Sequence, residues 1–88
     1  MIYKYLKTDG TTENIERESI LPLEELQRLV GGYIEFFEHN GEVGCANEEG
    51  LLEELPVNPH FIDKQIAGNV VLGKWKATED DTIFIGVK

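Results

Sequence analysis

Apolar and polar residues alternate at the start of the chain, where IYKYLK puts Ile2, Lys4 and Leu6 on one side and Tyr3, Tyr5 and Lys7 on the other. This period of two, in β-favouring residues, predicts a strand over residues 2–7. Asp9-Gly10 is a turn signal, and TTENI predicts a returning strand over residues 11–15. The period then changes. In LPLEELQRLVGG the apolar Leu23, Leu26, Leu29 and Val30 recur at helical spacing. Pro22 suits a first turn, Glu24 and Glu25 suit the positive end of a helix dipole, and Gly31 suits a left-handed stop. A helix over residues 22–30 follows, and so short a helix needs a sheet under its apolar stripe.

Asn40-Gly41 between YIEFFEH and EVGCA is a two-residue hairpin turn in which both residues tolerate positive φ. It predicts strands at 33–39 and 42–46 and sets their register: His39 faces Glu42, Glu38 faces Val43, Phe37 faces Gly44, Phe36 faces Cys45 and Glu35 faces Ala46. Ile34, Phe36, Glu38, Val43 and Cys45 then share the expected core face, with Tyr33, Glu35, Phe37, His39, Glu42, Gly44 and Ala46 on the other. Gly44 leaves room for the Phe37 ring to lie across the strand. Further on, Asn58-Pro59 is a cap and first-turn pair, Phe61, Ile62 and Ile66 form an apolar stripe, and Gly68 is a stop, predicting a second helix over 59–67. Strands are predicted at 69–75 and 82–87, around an exposed Glu79-Asp80-Asp81 loop. The expected fold is α+β: one domain over residues 1–88, a mainly antiparallel sheet with two short helices packed on one face.

No stretch approaches the roughly 18 apolar residues of a membrane span, and MIYKYLKTDG lacks the layout of a secretory signal, so a cytoplasmic location without a membrane partner is expected. The single Cys45 forbids a disulfide within the chain. Charge narrows the picture further. Lys and Arg number 8 against 17 Asp and Glu, a net charge of −9 that repels phosphate backbones and disfavours direct nucleic-acid binding. The acid is concentrated: residues 9–54 hold 13 acids and 2 bases, residues 55–88 hold 4 of each.

Chemistry-bearing constellations are sparse. Two His, one Cys and one Ser offer no nucleophile beside a base, so no catalytic residue is assigned and an enzyme is not expected. His39, His60 and Cys45 lack metal-ligand spacing, and no Gly-rich phosphate loop joins a strand to a helix; neither a metal nor a cofactor is expected. What remains are candidate ligand-binding residues. Lys74 and Lys76 flank Trp75, with Phe61 and Lys64 upstream, a set able to stack a base and grip a phosphate. The plainer role for Trp75 is to cover a sheet edge. Asn47-Glu48-Glu49-Gly50 comes off a strand with its Glu side chains free, and Asn58 is similar in kind; both Asn residues equally suit turns or helix caps.

The phrases VGGYIE (30–35), NEEGLL (47–52), LPVN (55–58) and IAGNVVL (66–72), in that order, resemble a family of small uncharacterised domains of bacteriophages and mobile elements, described only as a domain of unknown function. The resemblance implies a helix ending at the paired glycines, a hairpin closed by N-E-E-G, and a second helix leading to the G-N-V-V strand, and it picks out Asn47, Glu48, Glu49, Gly50, Pro56 and Asn58. It also implies a phage setting, where small domains without catalytic residues act against host defence. One expectation is capture of a nucleotide-derived signalling molecule by Tyr33, Asn47, Glu48, Glu49, Asn58, Phe61, Lys64, Lys74 and Trp75. The alternatives are an acidic mimic of DNA that binds a basic host defence protein, or a structural or regulatory phage component. An exposed sheet edge or the Trp75 region makes a homodimer or higher oligomer a further expectation.

Overall fold

A computed structural model describes residues 1–88. The elements run β1 (Ile2–Leu6), β2 (Thr12–Glu16), α1 (Leu23–Val30), β3 (Ile34–His39), β4 (Glu42–Asn47), a 3₁₀ helix (Pro59–Lys64), β5 (Val70–Ala77) and β6 (Thr82–Ile85). The six strands form one antiparallel sheet in the order β2-β1-β5-β4-β3, with β6 paired to β5. β5 is the hub because its first half lies between β1 and β4, at Leu6↔Val70 and Cys45↔Val71, while its second half pairs with β6 from Lys74↔Ile85 to Ala77↔Thr82. The chain after β6 returns beside β1, where Val87 N–H donates to the Ile2 carbonyl at 2.8 Å and Ile2 N–H to Lys88 at 2.9 Å.

The β3–β4 hairpin has the register that its two-residue turn predicts, from Glu35↔Ala46 to His39↔Glu42. Asn40 and Gly41 take φ of 51° and 82°, the positive values that this turn requires. Helix α1 ends as its sequence predicts, with Gly31 at φ 85° and its N–H on the Gln27 carbonyl at 2.8 Å. Leu26 and Val30 are buried, each contributing about 1.5–3 kcal/mol of transfer free energy, which a helix of 8 residues needs to persist.

The two short helices do not share a face of the sheet as expected. Along β5, Val71 packs with Leu26 and Val30 of α1, with Tyr3, Leu21, Val43, Cys45 and Phe84 around them. Its neighbours Val70 and Leu72 pack with Phe61 of the 3₁₀ helix, Leu6 and Ala46. Alternate strand residues point to opposite faces, so each face has its own core and its own helix. Because Phe37 and Ala46 also lie under cover, the hairpin face opposite the expected core face is a second apolar layer.

The second helix is also shorter than the 59–67 span and of 3₁₀ type. Asn58 caps it and Pro59 opens it as predicted, but Phe61 leaves helical geometry at φ −134° and Gln65 turns left-handed at φ 54°. The break lets Phe61 enter the core, fully buried, and lets Val57 bridge Ala67. Ile62, read as part of the apolar stripe, is 72 % exposed as a result. No helix is long and apolar enough to cross a membrane.

Candidate functional site

The predicted site residues that come together do so where β4 ends and the chain turns. Glu48 N–H donates to the Tyr33 carbonyl at 2.8 Å, closing the hairpin base. Asn47 is buried and its amide organises the turn: Oδ1 accepts from Glu49 N–H at 2.8 Å, while Nδ2 donates to Glu53 Oε1 at 2.9 Å and to the Val30 carbonyl at 3.3 Å. Gly32 sits against that amide so closely that a Cβ there would stand 2.9 Å from Asn47 Nδ2. The result is an open cleft of about 260 Å³ between Gln27, Gly32, Tyr33, Asn47, Glu49 and Glu53. Tyr33 is 68 % exposed. A neighbouring cleft of about 300 Å³ carries Glu35 and Glu48 beside the exposed Leu51 and Leu52. No Lys or Arg lines either cleft.

The other predicted site residues are elsewhere. Asn58 is fully buried and spent on structure: its Oδ1 accepts from His60 N–H at 2.9 Å, and its Nδ2 donates to the carbonyls of Leu6 at 2.9 Å and Gly68 at 3.0 Å. Phe61 is fully buried beneath Phe37 and His39, with ring centroids 5.1 and 4.7 Å away, so no surface ligand can stack on it. In the fold these two are a satisfied cap and a core aromatic. Lys64 is exposed at the end of the 3₁₀ helix. Lys74 and Trp75 lie at the far end of the hairpin, in a notch of about 280 Å³ shared with Glu38, Gly41, Glu42 and Val43. Tyr33, just before β3, and Glu38 near its end are separated by about 17 Å of extended chain, so Tyr33 and Trp75 serve different clefts.

Electrostatics separate the hairpin from the rest of the chain. Both bases of residues 9–54 are used on one carboxylate: Arg17 pairs with Glu25, and Arg28 approaches it at 3.4 Å. The Arg17 hydrogen bond, against a smaller effect of desolvation, holds the Glu25 carboxyl below its ordinary range. Lys7 pairs with Glu13 at 3.6 Å. All seven carboxylates from Glu35 to Glu54 are therefore outside any ion pair.

Cys45 is fully buried, and burial pushes its thiol up to about 12. It faces the α1 core while His39 lies on Phe61 across the sheet, so the two form no nucleophile and base pair. No three His, Cys, Asp or Glu side chains come together at a spacing that would hold a metal ion. Sequence reading missed Gln27, Gly32 and Glu53 in the first cleft and Glu38 and Glu42 in the notch. Glu38 and Glu42 flank the Asn40-Gly41 turn and were legible as neighbours; the Glu53 contact to Asn47 depends on a loop conformation with no sequence signature.

Fold and clefts together define a small acidic α+β domain with carboxylate-lined surface clefts. The chain belongs to the family described as a domain of unknown function (DUF3846), whose model matches residues 4–85. No curated protein and no solved structure matches it.

Proposed function

We propose that this chain is a non-catalytic, acidic binding domain whose β3–β4 hairpin and following turn occupy a basic surface on a partner protein. In the phage or mobile-element setting that its sequence phrases imply, that partner is a host nucleic-acid-binding defence protein whose DNA-binding surface the domain covers. The observation that carries this reading is the run of seven carboxylates from Glu35 to Glu54, none of them neutralised by a base of the chain. Unpaired surface carboxylates keep their charge free to steer and select a cationic partner. Exposed Tyr33, Leu51 and Leu52 beside them add the apolar contact that a protein interface uses and a phosphate does not.

Capture of a nucleotide messenger is the weaker fit. It calls for bases where the Asn and aromatic groups converge, yet the Asn47 cleft has two carboxylates and no cation, while Asn58 and Phe61 are enclosed. An anion placed beside Glu49 and Glu53 meets like charge at close range.

Immobilised protein incubated with bacterial host lysate tests the proposal, using elution first by a short duplex DNA and then by salt. The expected result is retention of basic DNA-binding proteins that the duplex releases. Retention of no such protein, or retention that duplex DNA leaves untouched, contradicts it.

A further inference from the structure

The notch at the far end of the hairpin combines groups that the Asn47 cleft has only in part. Phe36 pairs with Cys45, and Cys45 with Val71, which places the Phe36 ring on the α1 face of the sheet. Trp75 lies four residues beyond Val71 and shares that face. The two rings meet at 4.7 Å between centroids, and both lean on Phe84, at 5.1 and 5.9 Å. Gly73 permits this, since a Cβ there would stand 2.8 Å from the Phe84 ring. Helix α1 does not extend over this end of the sheet, so Phe36 stays 39 % and Trp75 42 % exposed.

One carboxylate borders the rings on this face. Glu38 pairs with Val43, itself paired with Gly73 two residues before Trp75, whereas Glu42, next to Val43, turns to the opposite face with His39. Lys74 also lines the notch but forms no ion pair. Exposed aromatic rings beside an unpaired carboxylate select a planar cation, because the ring quadrupole and the carboxylate attract the same charge. Guanidinium fits better than ammonium: it stacks on an aromatic face while its N–H groups remain free to bond a carboxylate in its own plane.

We propose that the notch between Trp75, Phe36 and Glu38 receives an arginine side chain of the partner, its guanidinium on the exposed rings and its N–H groups on the Glu38 carboxylate. This rests on the reading of the domain as a binder of basic proteins and supplies that interface with an anchor. Aromatic residues that pair with a desolvated charge at the centre of an interface are where binding energy concentrates.

Trp75 is the chain's only tryptophan, so its emission reports on the notch directly. The probe is an octa-arginine peptide free of aromatic residues, titrated at low ionic strength into the wild-type chain, Glu38→Gln and Glu16→Gln. The last removes the same charge from the β2 side of the sheet. Wild type is expected to bind with a saturable change in Trp75 emission. Glu38→Gln should weaken binding about tenfold, the scale of one cation–π contact with an ion pair. The β2 variant should change it less than about twofold. A dye-labelled peptide followed by anisotropy on Trp75→Leu, with circular dichroism confirming its fold, should show a similar loss. Binding that leaves Trp75 emission unchanged and weakens equally in both charge variants overturns the notch while the acidic-surface reading stands. No binding to the wild-type chain at all overturns both.

Discussion

The Asn47 amide donates to the Glu53 carboxylate at 2.9 Å, across a turn that begins at one residue and ends near the other. With its oxygen on Glu49 N–H and its second hydrogen on Val30, Asn47 ties the end of α1, the end of β4 and the turn into one unit. Asn47→Ala strands the Glu49 N–H and frees the Glu53 carboxylate. It is expected to cost about 1–3 kcal/mol, read as a lower urea midpoint at unchanged slope. A cost below a few tenths of a kcal/mol contradicts the structural role.

Asn58 makes a sharper case, because none of its surface is accessible and three hydrogen bonds depend on it. Asn58→Ala loses the cap of the 3₁₀ helix and leaves the Leu6 and Gly68 carbonyls short of a donor. The expected loss is about 2–4 kcal/mol by thermal or urea unfolding, at the upper end for one residue. Were Asn58 a ligand contact instead, removing it would alter binding and spare stability.

Gly44 and Phe37 are coupled by shape. A Cβ at Gly44 would stand 2.5 Å from Phe37 Cε1, closer than side-chain atoms approach. Gly44→Ala is expected to destabilise by about 1–3 kcal/mol, and Phe37→Leu in the same chain to recover part of that loss. Additive effects of the two changes would show that the ring does not lie over Gly44.

The pH dependence follows from burial. Cys45, whose thiol is ordinarily near 9.0, stays protonated in the fold to about 12, and burial raises Tyr3 as well, against a smaller opposing effect of its Leu21 hydrogen bond. Above the unfolded thiol value the unfolded chain has fewer bound protons than the folded one, so stability falls as pH rises from about 9 toward 12. Denaturant midpoints measured across that range should decline, and Cys45→Ala should flatten part of the decline. Iodoacetamide at pH 8 should label Cys45 only after unfolding; prompt labelling of the native chain contradicts its burial.

Much of the fold was legible because local signals there are strong. Asn40-Gly41 determines a turn and, through it, every pair from Glu35↔Ala46 to His39↔Glu42. Pro22, the acidic first turn and Gly31 bracket α1 within one residue of its observed start. Two things resisted. The 3₁₀ helix looked α-helical because Phe61, Ile62 and Ile66 fit its spacing, yet seating Phe61 in the second core requires non-helical backbone at that residue. The arrangement of the helices on opposite faces depends on strand order, since β5 alternates Val70, Val71 and Leu72 between two cores only once β1 and β4 flank it. At the Asn47 cleft, the turn chemistry of Asn47 and Glu49 was legible in the sequence, and Tyr33 entered with the ligand-capture reading. The place of Glu38 beside Trp75 needed the long-range pairing of β4 with β5.

The most direct test offers the chain both classes of ligand at once: native mass spectrometry with octa-arginine in the presence of cyclic oligonucleotides and NAD-derived signalling molecules. An acidic domain built for a basic partner should show a one-to-one peptide adduct, reduced in Glu38→Gln, and no nucleotide adduct. A stoichiometric nucleotide adduct that survives desalting, with no peptide bound, would contradict the account.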